Sequence, residues 1–219
     1  MPSPVSAEDT ESGLQCFKDP FLSLPCAGEG QTIRSMRYLV VSCSLSSKSR
    51  SRKMALLAKE DLESAGESVD WLDLVEHDLP LCDGGPAYGH PAVAPVADKI
   101  RGADGILLAG PIYNYDFNAA AKNMVEMTGA QCWSGKVVGF LAAAGGAGSY
   151  LSVLPLANSL MVDFRCVIIP RFVYTDGSAF GTGGELESTE LRERISRLSS
   201  DLVNFSEGLT EGLKSERRS

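Results

Sequence analysis

The sequence has no run approaching the roughly 18 consecutive apolar residues that a membrane-spanning helix needs, so no bilayer span is expected. It also has no basic excess. Twenty Lys and Arg stand against 28 Asp and Glu, for a net charge of −8, which argues against a nucleic-acid partner held by a basic surface. Histidine is scarce: His77 and His90 have no second ligand beside them at zinc spacing. The six cysteines (Cys16, Cys26, Cys43, Cys82, Cys132, Cys166) form no CxxC pair and no regular series, which excludes a dense disulfide framework and points to a reducing cytoplasm. No GxxxxGK[ST] occurs and no GxGxxG follows the first apolar run, so a Walker nucleotide site and an ordinary Rossmann dinucleotide site are disfavoured. What remains is 219 residues with 44% apolar and 22% charged side chains, enough for one domain with a substantial core.

The first 35 residues differ from the rest. They are rich in Ser, Pro and Gly, and five acids (Glu8, Asp9, Glu11, Asp19, Glu29) against Lys18 and Arg34 give them −3 of the chain's −8. There is no cationic start before an apolar core, as a signal peptide requires, and the acids disfavour a transit peptide. The stretch 1–35 is expected to be a flexible tail, with too little apolar surface to offset the entropy of ordering. Met36, directly before the first strand pattern, is where an alternative translation start would be expected. A short C-terminal tail is expected over 214–219, leaving 36–213 as the folded domain.

Within that domain apolar β-rich runs alternate with helical periodicity. Strands are expected at 38–42, 69–75, 103–110, 136–144 and 165–174. Between them, residues recurring at 3.6-residue spacing mark helices, among them Met54, Leu57, Ala58, Leu62 and Ala65, with Gly66 ending the first. The last helix is the most regular, carrying Leu191, Ile195, Leu198, Leu202, Phe205 and Leu209. Five strands alternating with helices predict an α/β fold: a three-layer sandwich around a five-stranded parallel sheet of flavodoxin-like order 2-1-3-4-5.

Ligands of such a sheet bind beyond the carboxyl ends of the strands. After strand one, Ser44-Leu45-Ser46-Ser47-Lys48-Ser49-Arg50-Ser51-Arg52 leads into a helix N-terminus, where hydroxyls, free N–H groups and the helix dipole suit a phosphate. The plainer alternative is a polar loop in which Ser49 only caps the helix. After strand three, Pro111-Ile112-Tyr113-Asn114-Tyr115 offers aromatic faces and amides to a flat heteroaromatic ring, or else forms an ordinary loop with Asn118 capping the next helix. After strand four, Gly145-Gly146-Ala147-Gly148 permits close backbone approach by a planar ring.

Taken together, SLxxxSRSR (Ser44 to Arg52), ADGILLAGPIYNY (Ala103 to Tyr115), the pair Lys122-Asn123, Trp133-Ser134-Gly135-Lys136 and AAGGAGS resemble the NADPH-dependent FMN reductase family of the flavodoxin-like superfamily, over about residues 37–207. The resemblance implies an enzyme that binds FMN and uses NADPH or NADH to reduce a small electron acceptor. It implies that Ser44, Ser49, Arg50 and Ser51, with Ser46 beside them, hold the FMN phosphate. Pro111, Ile112, Tyr113 and Asn114 would contact the ring and ribityl chain, and Gly145, Gly146 and Gly148 would lie beside the isoalloxazine. Two positions depart from the family's usual pattern: Ser46 stands where many members carry Arg, and Ile112 where many carry Glu. Lys48, Arg50, Arg52 and Lys53 are expected to supply the positive charge near the phosphate. The family also implies a homodimer or homotetramer, with Met124, Met127, Trp133, Tyr150 and Leu151 as candidates for the shared surface or for core. No catalytic acid, base or metal ligand is expected. Cys43 is either a thiol activated by the helix N-terminus or a small buried residue. The rival reading is a non-catalytic flavodoxin-like electron carrier or structural module.

Overall fold

The computed structural model describes residues 35–216; the expectations for residues 1–34 and 217–219 lie outside them. Strand β1 (Arg37–Ser42) is buried throughout except at its first residue, as its unbroken apolar run requires. Its side chains alternate between two clusters. Tyr38 and Val40 join the one shared with α1 (Arg50–Ser64) and α6 (Thr189–Glu216). Leu39 and Val41 join the one shared with α2 (Val93–Gly102), α3 (Ala119–Thr128) and α5 (Leu154–Phe164). A sheet buried on both faces by helices is the three-layer arrangement predicted from the alternation of elements.

The parallel core consists of β2 (Ser68–Asp73), β1, β3 (Gly105–Tyr113) and β5 (Val137–Ala143), in that order. The fifth position is shared by two short pieces, β6 (Val167–Ile168) and β7 (Val173–Thr175), both paired with β5. This is the expected 2-1-3-4-5 order; the numbering differs because a two-residue strand, β4 (Asp116–Phe117), turns back antiparallel on β3. The edge strand was expected to run unbroken over 165–174. Instead Val138 pairs with Ile168 and Leu141 with Val173, so the edge carries two more residues than β5 between these pairings. Pro170, which has no N–H to give a ladder, and Arg171, at φ 67°, occupy the bulge.

Helix α1 begins where Ser49 caps it, and the chain leaves it through Gly66 at φ 87°, a conformation that glycine adopts without penalty. A short helix α4 (Ala130–Trp133) that the periodicity does not reveal follows α3. Met124 and Trp133 are fully buried and Met127 nearly so; these three are core rather than surface, whereas Tyr150 and Leu151 are exposed. Helix α6 continues to Glu216, past the expected domain limit at 213. No helix among the described residues is long and apolar enough to cross a membrane.

Candidate functional site

The loop after β1 is shaped by its own serines. Ser44 Oγ accepts a hydrogen bond from the Ser46 N–H at 3.2 Å, and the Ser46 carbonyl accepts from the Ser49 N–H at 3.1 Å. Ser49 Oγ accepts from the Arg52 N–H at 3.3 Å and shares a 2.7 Å bond with Ser51 Oγ. Such a cap contributes about 1 kcal/mol to the helix. Ser44 and Ser51 are buried, Ser49 is half-buried and Ser46 is exposed. Arg50 and Ser51 occupy the first two helical positions of α1, where backbone N–H groups have no partner within the helix. These donors, at the positive end of a 15-residue helix, form a cradle for an anion.

The four cations expected around this cradle are mostly engaged elsewhere. Arg52 Nε pairs with the fully buried carboxyl of Asp73, and its guanidinium lies 5.8 Å from the Trp71 ring centroid. Lys53 Nζ donates to the Gly184 carbonyl. The Arg50 guanidinium lies 5.9 Å from the Phe180 ring centroid, toward the turn after β7. There it stands near Asp176, whose carboxyl is held below its ordinary range chiefly by hydrogen bonds from Ser178 and in part by Arg50. Among the described residues Lys48 is exposed and has no ion pair.

The loop after β3 is a tight hairpin. Ile112 pairs with Phe117 and Tyr113 with Asp116, leaving Asn114 and Tyr115 as its two central residues, at φ 51° and 62°. Positive φ at both is the signature of a type I′ turn. Asn tolerates that conformation, whereas Tyr pays about 1–2 kcal/mol for it. The turn throws the rings outward: Tyr113 is 60% exposed and Tyr115 is 73% exposed. The Ile112 side chain instead enters the core, so at this position the backbone alone faces the loop surface.

The loop after β5 presents bare backbone. A Cβ placed on Gly145, Gly146 or Gly148 would meet no atom within 4 Å, so a flat ligand has clear access to all three. The loop's shape is set from beneath by Tyr174 of β7, whose hydroxyl donates to the Gly146 carbonyl and accepts from the Ser149 N–H at 3.2 Å. The turn over 147–153 packs on β3 and β4, which brings the glycine loop against the tyrosine hairpin.

The loops after β1 and β3 are joined as well. Cys43 N–H donates to the Ala109 carbonyl at 2.7 Å, and Asn118 Nδ2 donates to the Cys43 carbonyl at 2.7 Å. Asn118 therefore does not cap α3 with its side chain, as its position suggested. Leaving a buried carbonyl such as that of Cys43 without a donor would cost about 1–3 kcal/mol. Cys43 is the small buried residue rather than the activated thiol: burial, with the charge of Asp73, pushes its pKa far up. Asn118, singled out in the sequence only as a helix cap, and Tyr174, not singled out at all, shape the site through partners 75 and 25–28 residues away.

Two clefts flank this edge. One, of about 630 Å³, runs beneath Leu45 between the 74–81 segment and the start of α3. Asn123 closes it by accepting from the Cys82 N–H and donating to the Pro80 carbonyl, each at 2.9 Å. The other, of about 470 Å³, lies between Tyr150, the edge strand and α6. Among the described residues no group of three or more His, Cys, Asp or Glu side chains could hold a metal ion.

Comparison with known proteins places this geometry. An NAD(P)H-dependent FAD/FMN reductase of Geobacillus thermodenitrificans is 27% identical over 145 residues, covering 66% of this chain and 78% of its own length. A probable NADPH:quinone oxidoreductase of Oryza sativa is 30% identical over 143 residues, covering 63% and 71%. Among solved structures, FerB, a flavoenzyme NAD(P)H:(acceptor) oxidoreductase from Paracoccus denitrificans, shares the fold at a TM-score of 0.65 and 21% identity, over 79% of this chain and 98% of that one. The family described as NADPH-dependent FMN reductase matches residues 36–180, from the start of β1 through the turn after β7. The chain therefore belongs to the NADPH-dependent FMN reductase family, and it is an NAD(P)H- and FMN-dependent oxidoreductase.

Proposed function

We propose that this oxidoreductase passes reducing equivalents from NAD(P)H to a quinone, a free flavin or a similar small acceptor, with FMN held across the three loops. The observation that carries the reading is their union at one sheet edge: an anion cradle and outward tyrosines joined by a buried hydrogen bond, with an unobstructed glycine backbone packed against the tyrosine hairpin. The residues fit the cofactor. Ser44, Ser46, Ser49 and Ser51, with the N–H groups of Arg50 and Ser51, would hold the phosphate. Pro111, Tyr113, Asn114 and the backbone of Ile112 would meet the ring and ribityl chain, and Gly145, Gly146 and Gly148 would lie along the ring.

FMN when bound would supply the redox chemistry, the two electrons of a hydride from NAD(P)H both going on to the acceptor, singly or together. The protein's part is to bind, orient and exclude water, and no side-chain acid or base is assigned. A homodimer is part of the proposal, supported by Leu151, Leu154, Met161 and Val162, which are exposed along one side of the 147–153 turn and α5. A reducing cytoplasm is supported by the unpaired state of Cys43, Cys82, Cys132 and Cys166.

The test is a fluorescence titration with FMN, followed by NADPH and NADH oxidation with a quinone, free flavin or no acceptor. Saturable FMN binding and acceptor-dependent turnover are expected. A protein that binds no FMN would overturn the reading, and one that binds FMN without oxidising either nucleotide would instead be an electron carrier.

A further inference from the structure

Asn118 occupies the position before α3 where a side chain would normally turn inward to cap the helix, yet it makes no such bond. Its polar groups point to other tasks. The backbone N–H donates to the Pro111 carbonyl at 3.1 Å, closing the tyrosine hairpin at its base. The side-chain Nδ2 donates to the Cys43 carbonyl at 2.7 Å, in a bond buried between two loops 75 residues apart. Oδ1 is buried with no donor, and the residue as a whole is 5% exposed. The preceding peptide unit, between Ser42 and Cys43, is also held, because the Cys43 N–H donates to the Ala109 carbonyl.

Space around this latch is tight. A Cβ on Gly110 would lie 2.5 Å from the Phe117 ring and 2.8 Å from Asn118 Oδ1, so Gly110 is what lets the amide reach across. Cys43 is the last residue before the Ser44–Ser51 cradle. The direction of its carbonyl fixes the plane of the peptide that leads into Ser44 and so the aim of the N–H groups beyond it.

We infer that Asn118 is a positioning residue for phosphate binding: it touches no ligand, but holds the phosphate loop in register with the ring loop through the carbonyl of Cys43. The inference rests on the reading that residues 44–51 take the FMN phosphate. Its consequence is selective. Loss of the Nδ2 donor frees the peptide before Ser44, which misdirects the cradle while leaving the tyrosines and the glycine loop in place.

The test compares FMN with riboflavin, which carries the same ring and ribityl chain without the phosphate. Dissociation constants for both are measured by fluorescence on the wild-type protein, Asn118→Ala and Asn118→Ser, with circular dichroism melts to confirm folding. Asn118→Ser keeps a donor on a shorter arm and serves if the alanine variant does not fold. Asn118→Ala is expected to weaken FMN about tenfold while changing riboflavin less than about twofold. Asn118→Ser should fall between the wild type and Asn118→Ala. Equal weakening of both ligands shows general loosening and overturns the inference, as does unchanged FMN binding. A wild-type protein that binds neither flavin overturns the underlying reading and this inference together, whereas wild-type FMN binding with a non-selective Asn118 effect overturns the inference alone.

Discussion

The Tyr174 hydroxyl bonds the Gly146 carbonyl, and the same oxygen accepts the Ser149 N–H, so a single group from the edge strand spans the glycine loop. Glycines free of side-chain contact gain access for a ligand but lose any packing that would define their shape. The tyrosine restores definition from the buried side. Tyr174→Phe keeps the ring, which packs against Tyr150 at 6.1 Å between centroids, and removes only the tether. The expected result is a loss of about 1 kcal/mol in stability and severalfold weaker binding of FMN and riboflavin alike. Thermal melts and paired titrations check it. This phosphate-independent pattern is the opposite of that expected for Asn118→Ala.

The hairpin makes a second, opposed prediction. Tyr115 holds φ at 62° while 73% of its surface is exposed, so its strain is not offset by packing. Asn-Gly is the preferred central pair of a type I′ turn. Tyr115→Gly should therefore leave the melting temperature unchanged or raise it, by up to about 1 kcal/mol of stability, since the glycine's unfolded-state entropy offsets part of the relief. Flavin affinity should fall severalfold with the loss of an aromatic face. Both are read from one melt and one titration per protein.

The sheet order and both clusters of the core were legible because burial on both faces leaves a continuous apolar run in each inner strand, as in 38–42 and 136–144. Helix α1 was legible from its period and its caps. The broken edge strand was less so, since Pro170 sits inside an apolar run and its effect on pairing depends on which neighbour the edge has. For the candidate site, loop composition pointed to the serines, the tyrosines and the glycines. It did not reveal that Arg52 and Lys53 are consumed by Asp73 and Gly184, or that Ile112 turns inward. A local charge count records where cations stand in the chain and is silent on partners brought in by folding.

That distinction separates two adjacent cations. Arg52 faces a carboxyl with no solvent exposure, and removing one member of such a pair leaves the other uncompensated. Because Arg52 itself is 30% exposed, Arg52→Ala should cost about 2 kcal/mol of stability rather than the larger penalty of a fully buried pair. Lys48→Ala should leave the melt unchanged and weaken FMN about two- to fivefold, an effect that shrinks as salt is raised. Denaturant unfolding and FMN titrations at two ionic strengths check both. A drop in FMN affinity for folded Arg52→Ala as large as that for Lys48→Ala would contradict the assignment.

The buried thiols set the stability at high pH. Burial holds the Cys43 pKa far above its ordinary value, and burial pushes the Cys166 thiol up from 9.0 to about 11. Cys132 is raised in the same direction by the same cause. A raised pKa means that the folded state keeps a proton the unfolded chain releases. Below the ordinary thiol value both states are protonated and stability does not depend on these groups. Above it the unfolded state binds fewer protons, so stability declines with rising pH by up to about 1.4 kcal/mol per unit for each such group. For Cys166 the window runs from about 9.0 to about 11, where the folded protein also begins to ionise. The buried Tyr38 hydroxyl, raised chiefly by desolvation, extends the decline at still higher pH. Urea midpoints should therefore hold steady from pH 7 to 8 and fall steeply between pH 9 and 10.5. Cys43→Ala should flatten that slope even though it lowers stability at pH 7, because it removes the group whose proton the folded state holds most tightly. An unchanged slope in Cys43→Ala would show that its thiol does not govern the alkaline loss.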